Sequence, residues 1–303
     1  MNTSVDEALR SRVKNLEAMP AMPAVLAPLM TALELPPEQV ELNAISELIA
    51  RDKSISAQCL RMANSALFAG ARPVDSIRGA VVSLGARRLR DIVWTTLLLG
   101  LAPKTKWPLS PSAFWEHSFG VALVSQELAK KMALPNPDKA YLCGLLHDIG
   151  EVVNATLLPA EFRATAELAV EKNLSLLDAE RQVLGFTHCE TGKMLAEYWK
   201  LPADIHAAIE FHHAPEHAPA PATLPALVNL ADWLCRLRGM GYGYEEYCAI
   251  DFQEAPAWSL LKKNAPKIEE FDIARFTLEL DMEADRVRLM VASAFQHRWL
   301  FKT

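Results

Sequence analysis

An all-α fold is predicted for this chain by three features of its sequence. Apolar residues recur with a period near 3.6 in segment after segment, strand-like alternation of β-branched residues is scarce, and proline or glycine punctuates the segment ends. With 303 residues, 51% apolar and 22% charged, the chain has ample apolar surface to bury. Two helical subdomains and a C-terminal extension are expected.

In chain order, the first half holds candidate helices over about 6–17, 23–33, 43–51, 54–66, 76–84 and 87–99. Pro23 suits a first helical turn, where the missing amide costs nothing, and Asp52 can cap the orphan amides of the helix that follows. Gly85 can take the left-handed conformation that stops a helix. These six form one bundle, residues 1–102. Three prolines, Pro103, Pro108 and Pro111, then fall within nine residues, and Ser110-Pro111 reads as a cap followed by a first turn, which places the domain boundary there.

The second half resumes with helices over about 111–132, 139–157, 160–172, 176–184, 189–199, 202–211 and 224–238, a second bundle at 111–238. Its loop at 214–221 cannot be helical throughout, because its prolines lack the amide donor. A tail over 239–303, with helices near 256–264 and 283–299, is expected to pack on this second half. No internal repeat at a fixed period is present.

A net charge of −6 supplies no global positive field, so nucleic acid is not a favoured partner, and Arg87-Arg88-Leu89-Arg90 reads as a solvated helix face. The five cysteines, Cys59, Cys143, Cys189, Cys235 and Cys248, are odd in number and form no C-x-x-C pair, which fits reduced thiols and a cytoplasmic setting. The N-terminus carries Asp6 and Glu7 where a signal peptide has basic residues. The longest charge-free apolar stretches, Ala18 to Leu33 and Ile92 to Pro103, are too short or too proline-broken to span a bilayer, so no membrane partner is expected. Nothing in the sequence marks an oligomeric state.

Seven of the eight histidines, His117, His147, His188, His206, His212, His213 and His217, fall within about a third of the chain. Neutral imidazole with carboxylate suits zinc, manganese, iron and similar divalent ions, and a helix bundle can gather such ligands from facing helices. The sharpest local feature is Gly144-Leu145-Leu146-His147-Asp148-Ile149-Gly150, a His-Asp pair in a strongly apolar helix. A buried carboxylate there asks for a metal, a cation or a hydrogen-bond cage. Two readings stay open for the cluster: binding of at least one metal ion, or a vestigial polar group satisfied by hydrogen bonds. His206 and His217 read as surface residues, Cys143 and Cys189 as small buried apolar ones, and Asn64-Ser65 as a helix end closed by side-chain to backbone bonds.

The series His117, His147-Asp148, His188, His212-His213 and Asp232 resembles the ligand order of the HD superfamily of metal-dependent phosphohydrolases, particularly its HD-GYP branch. A more specific resemblance, to the HDOD domain, covers roughly Leu16 to Leu237. It is carried by Met22-Pro23, Asp52-Lys53-Ser54, Ala63-Asn64-Ser65-Ala66, Ser83-Leu84-Gly85 and Trp199-x-Leu201-Pro202. That resemblance implies a bacterial, all-helical signalling or regulatory protein, non-catalytic or weakly catalytic, whose HD-type bundle keeps a metal cluster. The implied ligands are His117, His147, Asp148, His188, His212, His213 and Asp232, holding one or two divalent ions (Fe, Mn or Zn). Asp148 would bridge two ions and is the residue activity would depend on. Two ions roughly 3.5–4 Å apart can activate water and stabilise a leaving oxygen. The implied partner is a signalling protein or a small phosphorylated ligand; the alternative is a metal-dependent phosphohydrolase acting on a nucleotide or cyclic dinucleotide. Glu151 stands where HD phosphohydrolases commonly carry a phosphate-holding lysine, and no Gly-Tyr-Pro element follows His212-His213.

Overall fold

The structure, a computed structural model, describes residues 19–22, 27–28, 31, 46–47, 49–50, 53–65, 73–101, 107–244, 251 and 254–296. Every regular element among them is helical: α1 (Lys53–Ala63), α2 (Ile77–Leu99), α3 (Pro111–Lys131), α4 (Pro137–Leu146), α5 (Ile149–Leu157), α6 (Pro159–Lys172), α7 (Leu176–Val183), α8 (His188–Tyr198), α9 (Ala203–Phe211), α10 (Thr223–Leu237), α11 (Pro256–Asn264) and α12 (Ile273–Gln296). The all-α expectation holds. No helix among the described residues is long and apolar enough to cross a membrane.

The chain divides into two units, Met1–Ala21 with Pro103–Asp281 and Met22–Ala102 with Met282–Thr303. The division at 102/103 coincides with the proline-rich break. Of the described residues, 19–21 group with Pro103–Asp281. There Met19 is buried and the Pro20 carbonyl accepts a hydrogen bond from Trp199 Nε1 at 2.8 Å. The tail at 239–303 is likewise shared out, and α12 passes from one unit to the other between residues 281 and 282. Its apolar stripe begins at Phe276, seven residues before the expected helix start near 283, and runs through Leu280, Ala284, Val287 and Val291, all buried.

In the Met22–Ala102 unit, α1 ends as the polar pair Asn64-Ser65 suggests. The Asn64 side chain donates to Leu60 O (2.9 Å) and Val74 O (2.8 Å) and accepts from Val74 N (2.8 Å), which clips the helix end to the strand of chain entering α2. Ser76 caps α2 by accepting from Gly79 N at 3.0 Å. The two helices expected at 76–84 and 87–99 form one assigned element interrupted at Gly85, whose φ of 78° and ψ of 167° glycine adopts without steric cost. The expected helices at 6–17, 23–33 and 43–51, and residues beyond 296, lie wholly or largely outside the described residues.

In the larger unit α3 opens on the Ser110 cap, whose hydroxyl accepts from Ala113 N, with Pro111 in the first turn. Its neighbour α4 comes close because Gly144 faces it: a Cβ there would lie 2.7 Å from Val121 O. The single helix expected over 139–157 is instead two, α4 and α5, separated at His147-Asp148. Asp148 takes φ −97° and ψ 17° and makes no side-chain cap bond. In an unbroken helix, successive side chains diverge by about 100°. The turn removes that divergence, so both members of the pair reach the same interior hollow.

Candidate metal centre

Each candidate ligand is delivered by a different structural device. His117 sits mid-way along α3 and Asp232 in the buried face of α10. His147 and Asp148 form the α4–α5 turn. His188 opens α8, where Thr187 N donates to Glu190 Oε2 at 2.8 Å and the Thr187 hydroxyl accepts from Cys189 N at 3.3 Å, a capping arrangement that fixes the helix start. His212-His213 close α9, and Asn229 Nδ2 on α10 donates to His212 O at 2.6 Å, fastening that turn one helical turn from Asp232.

The structure brings all seven candidate residues together. His117, His147, Asp148, His188, His212 and Asp232 are buried, and His213 is 14% exposed. The Nε2 atoms of His117 and His147 are 3.2 Å apart, those of His188 and His212 are 3.3 Å apart, and His213 Nε2 is 3.1 Å from His188 Nε2. Asp148 stands between the two groups. Its Oδ2 lies 3.0 Å from His147 Nε2 and 3.5 Å from His117 Nε2, while its Oδ1 lies 3.4 Å from both His188 Nε2 and His212 Nε2. Asp232 completes the ring, with Oδ1 3.1 Å from His117 Nε2 and Oδ2 3.9 Å from His213 Nδ1.

The outer nitrogens explain why the inner ones converge. Nδ1 of His117 bonds Met240 O (2.7 Å), Nδ1 of His147 bonds Gly144 O (2.7 Å) and Nδ1 of His212 bonds Ile209 O (2.8 Å). A carbonyl accepts only, so each Nδ1 carries a proton and each Nε2 is turned inward. His188 differs, because its Nδ1 faces Glu180 Oε2 at 2.7 Å and Glu151 Oε1 at 3.2 Å.

Charge is concentrated to match. Burial works against ionising Asp148, yet His147, His188 and His212 hold its carboxyl well below the usual range. Burial works against ionising Asp232 too, yet Arg236, His117 and His213 together pull it down. Burial pushes His212 down to about 4 and pushes His213 well below the usual histidine value, so both are neutral imidazoles fit to donate a lone pair. Burial opposes the charge on His147 and His188, yet both are raised, His147 by Asp148 with Asp232 and the Gly144 carbonyl, His188 by Glu180 with Cys189 and Glu151. Burial beside Glu180 lifts Glu151 to about 8.

Three participants carry no flag in the ligand series. Tyr242 is buried and its hydroxyl donates to Asp148 Oδ2 at 2.5 Å. Glu180 accepts from His188 N (2.8 Å) and Asn154 Nδ2 (2.7 Å) besides facing His188 Nδ1. The Met240 carbonyl orients His117. Glycines flanking Tyr242, and a glutamate beside Leu176 and Ala179 on the buried face of α7, are the only local signs of the first two. His206 and His217 stay outside the cluster, His206 near Glu197 and Glu210. Cys143 is buried; the Cys189 sulfur lies within 4.8 Å of ligand nitrogens of His188, His212 and His213.

The donor set fits divalent ions. Buried imidazole lone pairs and carboxylate oxygens converge, and Asp148 Oδ1 and Asp232 Oδ2 are buried without a hydrogen-bond partner.

Residues 19–215 match the HDOD domain family. An HDOD domain protein of unknown function from Geobacter sulfurreducens shares the fold with a TM-score of 0.82 and 30% identity, over 99% of this chain and 98% of that one. A proposed phosphohydrolase from Shewanella amazonensis SB2B aligns with a TM-score of 0.70 and 27% identity, over 94% and 97% of the respective chains. An uncharacterized protein of Treponema pallidum (strain Nichols) is 28% identical over 226 residues, 72% of this chain; the chain spans 42% of that relative's length.

Proposed function

The chain belongs to the HDOD domain family, and on that premise we propose that it is a regulatory protein built around a retained divalent-metal centre, with little or no hydrolytic activity of its own. The observation that carries the metal reading is the two-sided placement of Asp148, with Oδ1 before His188 and His212 and Oδ2 before His117 and His147. His117, His147, Asp148 and Asp232 would hold one ion and Asp148, His188, His212 and His213 a second, with manganese, iron or zinc suited to these donors. When bound, such ions supply Lewis acidity and a more acidic water.

The regulatory reading rests on what surrounds those donors. Glu151 replaces a cationic phosphate holder with a carboxyl group packed against His188, and of the seven ligands His213 has the greatest exposure. A phosphate ester therefore meets a closed site with no cation at residue 151 to hold it. In this reading the module acts in the cytoplasm through a protein partner or a small phosphorylated ligand. A second reading, a metal-dependent phosphohydrolase, is favoured by the complete ligand set and by the likeness to the Shewanella amazonensis protein.

Elemental analysis of protein purified without chelator or affinity metal tests the first claim. At least one divalent ion per chain is expected, lost in Asp148→Ala that keeps its helical circular dichroism. Wild-type protein free of metal would sink the metal centre. Assay of manganese- or iron-loaded protein on a panel of phosphoesters separates the two readings: turnover abolished by Asp148→Ala would replace the regulatory reading with the hydrolase.

A further inference from the structure

Building on the metal centre proposed above, we infer that its two halves are inequivalent: a divalent cation binds first and more tightly among His188, His212, His213 and Asp148 Oδ1, while Tyr242 and Arg236 weaken the position at His117 and His147. The two groups act as positioning residues, through Asp148 and Asp232.

The four carboxylate oxygens of the centre show the asymmetry. Asp148 Oδ1 and Asp232 Oδ2 are buried and accept no hydrogen bond, so each keeps an acceptor position open to a cation. Both lie on the His188, His212 and His213 side, Oδ1 of Asp148 at 3.4 Å from two Nε2 atoms and Oδ2 of Asp232 at 3.9 Å from His213 Nδ1. The other two oxygens are already served. Asp148 Oδ2 accepts from Tyr242 Oη at 2.5 Å, and Asp232 Oδ1 accepts from Arg236 Nε at 2.7 Å.

Those two donors act on one side of the centre. The Tyr242 hydroxyl occupies a lone pair of Oδ2 and draws electron density from it, which makes that oxygen a poorer ligand. The Arg236 charge, held against the oxygen that lies 3.1 Å from His117 Nε2, opposes a second positive ion there. Arg236 also lies over the Tyr242 ring, 5.2 Å from its centroid, so the pair forms one support.

The imidazoles point the same way. Nδ1 of His188 faces the Glu180 and Glu151 carboxyls, whereas Nδ1 of His117 and His147 face neutral carbonyls. A carboxylate behind a histidine raises its basicity as a ligand, and such outer partners change metal affinity by about 10–100-fold.

The test is a calorimetric titration of metal-free, full-length protein with manganese(II) alone. Wild type is expected to bind one ion tightly and a second at least about tenfold more weakly. His147→Ala should keep the tight phase and lose the weak one, and His212→Ala should lose the tight phase. Tyr242→Phe keeps the ring packing and removes only the donor; it should strengthen the weak phase and narrow the gap, a shift that a purely structural role for Tyr242 would not produce. Should either histidine variant fail to fold, Tyr242→Phe alone decides. Two equal ions in wild type, or an unchanged gap in Tyr242→Phe, would overturn the inequivalence and leave the metal centre standing. No bound manganese at all would overturn both.

Discussion

Gly150 faces the backbone carbonyl of His188 so closely that a Cβ at residue 150 would stand 1.9 Å from that oxygen. The same Cβ would be 2.8 Å from Gly192 N, so α5 and α8 meet backbone to backbone, beside the turn that carries Asp148 and the helix start that carries His188. The Thr191 hydroxyl, donating to Gly150 O at 3.3 Å, lies in the same seam.

Gly150→Ala is therefore expected to destabilise the fold although alanine is the better helix former. The propensity gain is about 0.5–1 kcal/mol. Forcing a methyl group into packed backbone costs typically about 1–3 kcal/mol and occasionally more. The denaturation midpoint should fall with the slope unchanged. A midpoint equal to or above that of wild type would show that the two helices part freely.

Glu180→Gln is expected to weaken manganese binding by about 10–100-fold, because the carboxylate that orients His188 and raises its basicity is lost. An amide group must also turn a donor toward groups that now donate to Glu180, the His188 backbone amide and Asn154 Nδ2. A loss of about 1–3 kcal/mol of stability should accompany it. Calorimetry and denaturant titration read the two effects separately, and wild-type affinity in the variant would remove Glu180 from the centre.

Metal-free protein should be most stable near neutrality and lose stability on both sides. Burial lowers His212 to about 4 and lowers His213 as well, so between roughly pH 6.5 and 4 the unfolded chain binds more protons at these two sites, and stability falls as pH drops. Glu151, raised to about 8, opposes this with a single proton. Above the ordinary histidine pKa the sign reverses. His147, His188 and Glu151 then hold protons that the unfolded chain has released, and their contribution fades as pH rises through the folded-state values. Thermal midpoints of chelator-treated protein across pH 4.5–9 check this expectation; a monotonic rise through pH 9 would contradict it.

Cys59, Cys143, Cys189 and Cys235 should stay unreactive toward an aromatic disulfide reagent while the protein is folded. Each thiol is buried and burial raises all four, Cys59 to about 11, which leaves little thiolate to attack. Their labelling rate should follow the unfolding equilibrium through a denaturant series. Rapid labelling of more than one of the five thiols in native buffer would be the contrary result.

Much of this was readable before any coordinates. Helix ends at Ser110-Pro111, Asn64-Ser65 and Gly85 follow from caps, imide geometry and the freedom of glycine, all of which act within a few residues. The series of candidate donors from His117 to Asp232 was readable too, since donor chemistry belongs to the side chain itself. The break at His147-Asp148 was not, because the apolar period runs through it unchanged and only the interior hollow rewards the turn. Tyr242 and the Met240 carbonyl escaped for a related reason. They lie in a short segment between Gly239 and Gly243, both at positive φ, and reach partners 94 and 123 residues earlier.

Residue spacing and side-chain type by themselves determined that this chain is helical and that it carries imidazoles and carboxyls suited to a divalent ion, because both properties are local. Which oxygen of Asp148 meets which imidazole, and which carboxylates keep an unmet acceptor, was decided only in three dimensions. Those relations depend on how closely helices remote in sequence approach, and that approach is set where Gly144 meets Val121 and Gly150 meets His188.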